Sequence, residues 1–332
     1  MEKREVTVLV LCFNSGKTVI ETLESIRKQT YPYIHLIVSD DCSQDDTYDK
    51  VGEWKKSHGS HFLSCKLLRT RHNLGVSLHM NACVENVKTE WFKGLAADDI
   101  LLPDCIEKYV KFLDTHNCRG MIYAKHLSFH NSGSVSHYWI DYEEIRYQKK
   151  FAELTAEKQR ISIAKREVLC SPTCFTNRND VLKAGGYDLR IRNIEDWPIK
   201  MRLIDFGCKM AFMDEYTVLY RVGDSISRSN DIYFKPDFIK LERKVKELYC
   251  YPIANRSLIY RWNNAVTNLR YWIIINLCGN KRNRVTQTIN IFLGLLNFEK
   301  VKKAVINTIY KRKSENMVQE VLKMYEINDS QS

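Results

Sequence analysis

The apolar positions of the first hundred residues change period again and again. Val6 to Phe13 is a continuous β-rich apolar run, as in a strand covered on both faces. Asn14-Ser15-Gly16 breaks it. Val19, Leu23 and Ile26 then recur at helical spacing, which predicts a helix over Lys17 to Lys28 that Tyr31-Pro32 ends. His35 to Ser39 reads as a second strand, Asp46 to Lys56 as a helix, and Lys66 to Arg69 as a third strand. Val76 to Val87 is a helix carrying Val76, Met80, Cys83 and Val87, and Trp91 to Leu95 is a fourth strand. Pro103 opens a helix with Ile106, Val110 and Leu113 on one face. Alternating strands and helices predict an α/β fold, a mostly parallel open sheet flanked by helices with right-handed crossovers.

The second half is less regular. Cys170 to Asn177 reads as a strand leading into a helix over Asp180 to Ala184, which Gly185-Gly186 ends. Glu195 to Phe206 is a helix with Ile199 and Leu203 inward and Gly207 past its end. Lys209 to Met213 and Val218 to Tyr220 read as short strands. From Lys235 onward the pattern is helical, basic and rich in aromatics, so a boundary is placed near Ser229 to Pro236. Residues 1–230 then form one domain and 231–332 a helical C-terminal region.

This pattern localises the polar chemistry. In an open parallel sheet, ligands bind outside the carboxyl ends of the strands. Asn14, Asp40-Asp41, Arg71 with Asn73 and Gly75, and Ala97-Asp98-Asp99 each follow a predicted strand and therefore share one edge. Any one of them is explained as a turn residue; four in succession at the same topological place point to a ligand site.

Charge adds a second feature. The 332-residue chain carries a formal charge of +11. Lys235 to Lys313 holds 17 basic and 4 acidic residues, 17 − 4 = +13, which leaves the remainder near neutral. Such a basic region calls for a polyanion, either anionic lipid or nucleic acid. With Trp262, Tyr271, Trp272, Phe292 and Phe298 interleaved, it has the composition of an interfacial helix on anionic lipid, or else of a solvated helical face. Nucleic acid binding would leave the acidic residues at the sheet edge without a purpose. The 11 cysteines include no CxxC pair and fit free thiols in a reducing compartment. The N-terminal apolar run is flanked by Glu2 and Glu5 and lacks a small-residue cleavage site, so it reads as a strand and not as a signal peptide. The longest later runs, Trp272 to Cys278 and Ile289 to Phe298, are too short or broken to span a bilayer. A cytoplasmic protein, peripheral on the inner face of the membrane, is expected.

Four ordered segments carry a family resemblance. They are Val8-Leu9-Val10-Leu11-Cys12-Phe13-Asn14 with Ser25-Ile26-Arg27-Lys28-Gln29-Thr30; Leu36-Ile37-Val38-Ser39-Asp40-Asp41-Cys42-Ser43; Arg71-His72-Asn73-Leu74-Gly75 with Ala97-Asp98-Asp99-Ile100-Leu101-Leu102-Pro103; and Gly185-Gly186-Tyr187-Asp188 with Glu195-Asp196-Trp197 and Arg202. Together these segments resemble the family 2 glycosyltransferases. The resemblance implies an A-type glycosyltransferase fold, a nucleotide-diphosphate sugar donor (a UDP-sugar) and a divalent metal, Mn²⁺ or Mg²⁺. It further implies that Phe13 and Asn14 line the nucleotide pocket, Asp40 bonds the base, Asp98 binds the metal and Asp196 is the catalytic base. Two positions depart from the family pattern. Ala96 stands where the family often has a further Asp, and Cys42 where it usually has Gly, which matters if that backbone needs positive φ.

The chemistry of transfer fits these residue types. A metal held by Asp98, with Asp99, neutralises charge on the leaving diphosphate; alternatively the pair caps the helix after Pro103. A carboxylate takes the proton from the acceptor hydroxyl, and Asp196 is the candidate, with Glu195 either orienting it or binding acceptor hydroxyls. Acids in a first helical turn also complement the helix dipole, so that reading stays open. One base on the acceptor side implies a single displacement with inversion. Arg202 and Arg221, the latter with Ser225 and Ser227, are candidate phosphate ligands. His126 and His130 lack a third ligand and read as surface residues, and Arg261-Trp262 reads as packing in a non-processive enzyme. The expected acceptor is a glycan or lipid-linked hydroxyl, as in cell-surface polysaccharide assembly. A metal-dependent nucleotidyltransferase, or an inactive homologue serving as a scaffold, are the alternatives; Asn14-Ser15-Gly16-Lys17 is a poor phosphate loop for the former. Specificity is expected in Tyr123 to Ser171.

Overall fold

Apolar runs and helical faces of the first hundred residues become four parallel strands and their crossovers. The computed structural model describes residues 3–132, 135–166, 169–223 and 231–327. Strands β1 (Val6–Cys12), β2 (Ile34–Asp40), β3 (Ser64–Arg69) and β4 (Trp91–Ala96) lie in the order β3-β2-β1-β4. They are joined by α1 (Val19–Arg27), α2 (Thr47–His58) and α3 (Val76–Asn86). Register aligns their ends: Cys12 lies opposite Asp40, Asp40 opposite Arg69, and Leu11 opposite both Ser39 and Ala96. Because the chain leaves β1 toward β2 on one side and reaches β4 on the other, strand order reverses between β1 and β4. A ligand crevice opens at such a switch point, here between Phe13-Asn14 and Ala97-Asp98.

Antiparallel pairings widen the sheet beyond β4. Next come β5 (Ile100–Leu101), α4 (Cys105–Thr115), β6 (Met121–Ser132), β7 (Val135–Trp139), α5 (Tyr142–Glu153), α6 (Ala156–Lys165), β8 (Phe175–Asn177), α7 (Arg178–Lys183), α8 (Asp196–Asp205) and β9 (Ala211–Arg221). Strand β8 runs antiparallel to β4 and β6, β9 parallel to β6, and β5 antiparallel to β9. The strand expected over Cys170 to Asn177 shrinks to its last three residues because Pro172 sits in a 3₁₀ turn at Ser171–Thr173. The two short strands expected over Lys209 to Met213 and Val218 to Tyr220 are one strand. A bulge divides its pattern: the register against β6 shifts between Ala124 and Lys125 and again before His126, so Asp214-Glu215 reads as a loop.

Two apolar layers cover the sheet. Leu23, Ile26, Tyr109 and Val110 pack on one face, and Met80, Val84, Leu203 and Ile199 on the other. The C-terminal chain is helical as expected: α9 (Pro236–Val245), a π turn at Lys246–Cys250, α10 (Tyr251–Ala254), α11 (Leu258–Trp272), α12 (Arg284–Gly294), α13 (Phe298–Ile309) and α14 (Lys311–Met324). Helix α14 returns to the sheet, where Val318, Val321 and Leu322 join Leu127, Phe129 and Leu219. Helices α11 to α13 behave differently. Leu258, Trp262, Trp272, Phe292, Phe298 and Ile309 are all at least half exposed, and α13 buries none of its residues. Trp262, expected to pack, is half exposed and donates its indole N–H to Leu296 O at 2.8 Å. Among the described residues no helix is long and apolar enough to cross a membrane, and all 11 cysteines are unpaired.

Candidate functional site

The turn after β1 and the turn after β2 are built against each other. Asn14 adopts φ +51°, its N–H donates to Ser43 Oγ at 2.8 Å and its Oδ1 accepts from Gln44 N at 2.9 Å. Phe13, beside it, is half exposed. Asp40 and Asp41 are buried. Asp40 accepts from Ser43 N (3.1 Å), from the Ser43 hydroxyl and from Arg69 Nε (3.2 Å), so its carboxylate anchors the turn. Asp41 accepts from Thr70 Oγ1 and Leu74 N at 2.9 Å and Gly75 N at 3.0 Å, which fixes the turn after β3. Cys42 has φ +62°, the left-handed conformation for which the family's glycine is suited.

The sequence candidates after β3 divide. Arg71 is exposed at the edge. Asn73 is tied through Oδ1 and its carbonyl to Arg192 at 2.9 and 3.0 Å. Gly75, with φ +78°, is a close approach rather than a ligand contact. A Cβ there would lie 2.4 Å from Arg192 Cγ and 2.9 Å from Asn193 Oδ1. The loop before α8 is thereby stitched onto the start of α3, with Ser77 N donating to Arg192 O at 3.0 Å.

Asp98 and Asp99 sit at the switch point in unequal roles. Thr18 Oγ1 donates to Ala97 O at 2.7 Å and Thr22 Oγ1 to Asp99 O at 2.8 Å, so α1 holds the turn. Asp99 is buried, and its Oδ1 accepts the Arg221 N–H at 3.0 Å. Burial and then the Asp98 charge hold its carboxyl well above the usual range. Asp98 is half-buried, and among the described residues no other residue donates a hydrogen bond to its carboxylate. Burial pushes it up too, with Arg221 pulling part of the way back. Arg221 donates Nε to Asp98 O at 2.9 Å, pairs with Glu21 and lies over the Phe129 ring at 4.5 Å. Ser225 and Ser227 lie outside the described residues. The helix-capping reading of this acidic pair does not survive: α4 begins at Cys105, with Asp104 at its N-cap.

These residues fit a divalent cation. Mg²⁺ and Mn²⁺ are held by one or two carboxylates with the remaining places left to substrate phosphates and water. A carboxylate at the switch point that no neighbouring residue bonds, and held up by burial, is what such a cation would stabilise in its charged form. Exposed Ala96 adds no third acid, and no group of three possible metal-binding side chains occurs among the described residues.

The second acidic pair opens α8. Neither side chain caps the helix. Asp196 Oδ2 accepts from Ser171 Oγ at 2.7 Å and lies 3.5 Å from Lys200 Nζ. Burial alone would raise this carboxyl, but Lys200 and Ser171 outweigh it and hold the group below its ordinary value. Lys200 is wholly buried and also donates to Leu169 O at 2.5 Å and Ser171 Oγ at 3.0 Å. Glu195 takes the opposite course: burial, then the Asp196 charge, push it up to about 7. The pair is thus one ionised carboxylate beside one that retains its proton near neutrality. Arg202, farther along α8, donates to Gly185 O at 3.0 Å, which closes the turn before the acidic loop and gives it a structural bond.

Asp196 and Ser171 lie in the wall of a cleft of about 820 Å³ between α6, the turn at Ser171 and the C-terminal helices α11 and α13. His126 and Tyr220 also line it, and Tyr220 precedes Arg221 at the first acidic pair. His126 is not the surface residue the sequence suggested. It is half-buried on β6, and burial lowers it to about 4, so it is neutral at physiological pH.

The model of glycosyl transferase family 2 matches residues 7–186, more than half of the chain. The protein belongs to this family. Its curated relatives include EpsE of Bacillus subtilis (strain 168), named as a glycosyltransferase, 23% identical over 267 residues covering 77% of this chain and 81% of EpsE. Another is the Escherichia coli UDP-Glc:alpha-D-GlcNAc-diphosphoundecaprenol beta-1,3-glucosyltransferase WfaP, 27% identical over 110 residues covering 33% of this chain and 41% of WfaP. Among solved structures, residues 1–349 of S. aureus TarS with UDP-GlcNAc align at TM-score 0.55 and 19% identity, covering 88% of this chain and 80% of that one. These likenesses show the A-type glycosyltransferase fold.

Several residues that build this family 2 glycosyltransferase's site carried no signal in the sequence. Lys200 and Ser171 control Asp196, yet a lysine four residues into a helix reads as surface. Lys93 is buried in β4, where its Nζ holds the Pro172 and Cys174 carbonyls and so fixes the Ser171 turn. Thr18 and Thr22 read as ordinary helix residues, and only the fold brings them beneath Ala97 and Asp99.

Proposed function

We propose that this glycosyltransferase moves a sugar from a UDP-sugar to a hydroxyl of a glycan or lipid-linked acceptor, with inversion, one sugar at a time, and with Mn²⁺ or Mg²⁺. The observation that carries the reading is the division of labour between two acidic pairs, one at the switch point and one in the adjoining cleft. On the donor side, the base meets exposed Phe13 and Asn14, with Asp40 behind them anchoring Ser43. Asp98 holds the cation, Asp99 and Arg221 fix its setting, and exposed Arg71 borders the crevice. When bound, the cation neutralises charge on the departing diphosphate. On the acceptor side, Asp196 takes the hydroxyl proton. Lys200 and Ser171 keep it ionised, and Glu195 tunes it through their mutual repulsion. Mn²⁺ in the solved complex of the Pyrobaculum calidifontis mannosyltransferase PcManGT with GDP-Man (TM-score 0.53, 14% identity) supports the metal, and UDP-GlcNAc in TarS supports the nucleotide. The diphosphoundecaprenol in WfaP's name supports a lipid-linked acceptor.

The exposed apolar residues of α11 to α13, set in the basic C-terminal region, support contact with the anionic inner face of a membrane. Flotation with phosphatidylglycerol vesicles and absence of flotation with phosphatidylcholine would bear this out; equal behaviour would refute it. Calorimetric titration with UDP tests the central reading. Binding that requires Mn²⁺ or Mg²⁺ and disappears in Asp98→Ala is the expected result, and unchanged binding in chelator would refute it. Ala96, and the lack of a third acid, favour a second reading in which the chain binds donor as a scaffold without transfer. Metal-dependent hydrolysis of a UDP-sugar excludes that reading.

A further inference from the structure

The cleft beside Asp196 is strongly cationic for an acceptor site. Its lining carries six lysine or arginine side chains against three carboxylates. Several of the cations are already matched. Arg166 meets both oxygens of Glu143, Lys303 pairs with Asp141, Lys246 with Glu242 at 2.6 Å, and Lys302 approaches Glu299 at 3.7 Å. Lys165, at the end of α6, and Lys300, in the first turn of α13, have no ion-pair partner among the described residues. They therefore project surplus positive charge into the space that also contains Asp196 and Ser171. An uncharged sugar hydroxyl needs none of this, and a cleft facing the proton acceptor would otherwise be lined with neutral hydrogen-bonding groups.

The type of cation narrows the anion. A planar carboxylate is matched by the fork of arginine, and the cleft's arginine has that fork filled by Glu143. Lysines act as mobile point charges and suit a tetrahedral, multiply charged group. The amide nitrogen of Asn263 in the same wall offers a further donor, whereas that of Asn297 already donates to Asn263 O and Thr267 Oγ1 at 3.3 Å. At the mouth, Ile259 is more than half exposed and continuous with the apolar residues of α11.

We infer that the cleft is the acceptor subsite and that the acceptor carries a phosphate or diphosphate, received by Lys165 and Lys300 while its hydroxyl meets Asp196. The helical C-terminal region is then part of the active site, supplying Lys300, and not an appendage. This assignment rests on the glycosyltransferase reading, since it takes Asp196 as the group that the acceptor approaches.

The test is titration of the full chain with inorganic pyrophosphate in the absence of metal. Asp98→Ala serves as the background in which the donor diphosphate site is disabled. Wild type and Asp98→Ala should bind pyrophosphate alike. The Lys165→Gln/Lys300→Gln double variant should bind it about tenfold to hundredfold more weakly, as for the loss of charge-assisted bonds, and Lys165→Arg/Lys300→Arg should recover most of the binding. Binding of UDP with Mn²⁺ should be unchanged in the lysine variants, which checks their folding and keeps the donor reading separate. Pyrophosphate binding lost in Asp98→Ala but intact in the double Gln variant would overturn the inference, as would no binding in wild type; UDP binding would still stand in either case. Farnesyl diphosphate then separates the sources of the anion. Tighter binding than pyrophosphate assigns a lipid diphosphate, and equal binding assigns a water-soluble phosphate ester.

Discussion

Glu195→Gln should make the protein more stable at pH 8 and change its stability much less at pH 5. Glu195 rises from an ordinary 4.5 to about 7 because burial, and then the Asp196 charge, oppose its ionisation. The sign follows from linkage: a carboxyl whose folded value is raised stabilises the fold below its unfolded value, and that contribution is lost as pH climbs through the folded one. The penalty is therefore absent near pH 4 and complete above pH 7. At about 1.4 kcal/mol per tenfold change in proton affinity, its ceiling is about 3 kcal/mol. Glu195 is not wholly shielded from water and the strain is shared with Asp196, so about 1–2 kcal/mol is expected. Glutamine preserves the shape and removes the charge. For a chain of this length the unfolding entropy is about 0.7 kcal/mol per kelvin, so the midpoint should rise by roughly 2 °C at pH 8. Differential scanning calorimetry from pH 5 to 8 reads this directly. An equal rise at both pH values would refute the reasoning, because it would show that packing and not ionisation strains the site.

Further expectations concern the residues around this pair. Asp196→Asn should lower kcat by about 10²–10⁴-fold while UDP affinity with Mn²⁺ is retained; equal loss of UDP affinity would remove Asp196 from the acceptor side. Lys200→Met should raise the pH at which kcat reaches its plateau, because the cation that holds Asp196 ionised is gone, and a pH–rate profile measures it. Cys42→Gly should stabilise the fold by about 0.5–1 kcal/mol by relieving the left-handed backbone, and Cys42→Val should destabilise it; denaturant midpoints decide. Gly75→Ala should cost about 2 kcal/mol or more, since its new methyl meets Arg192 and the backbone is left-handed, and thermal melting would detect it.

The parallel half of the sheet was legible because each strand is an apolar run ended by a polar turn, and each crossover helix has a single apolar face. The far half was not, and the reasons are local. Pro172 converts most of a strand-like segment into a turn, and the bulge at Asp214-Glu215 hides the continuity of β9. The clustering of Asn14, Asp41 and Asp98 along one edge followed from topology. Their division into anchors and free groups did not, because it depends on which hydrogen bonds Ser43, Leu74 and Arg221 make. Lys200, which holds Asp196 ionised, belongs to a segment that sequence periodicity treats as ordinary helix, and Arg221, legible as a candidate phosphate ligand, was not legible as the group that bonds Asp98 and Asp99. The basic character of the C-terminal helices was plain in the composition, whereas the cleft they close around Asp196 arises only when α13 folds back against α5.

The seam between Gly75 and Arg192 has a consequence for recombination between related transferases. Residues 7–186 lie within the family match, and Glu195-Asp196 lies just beyond it, so an exchange at that boundary would offer a simple way to graft a new acceptor half onto an old donor half. The seam forbids a free exchange. Arg192 passes where a side chain at position 75 would be, and it is bonded to Asn73. A grafted half without this arginine would leave Asn73 and the start of α3 without their clasp, and a recipient with any larger residue at position 75 would expel the loop that carries the proton acceptor. Productive chimeras should be those in which both sides of the clasp come from one parent.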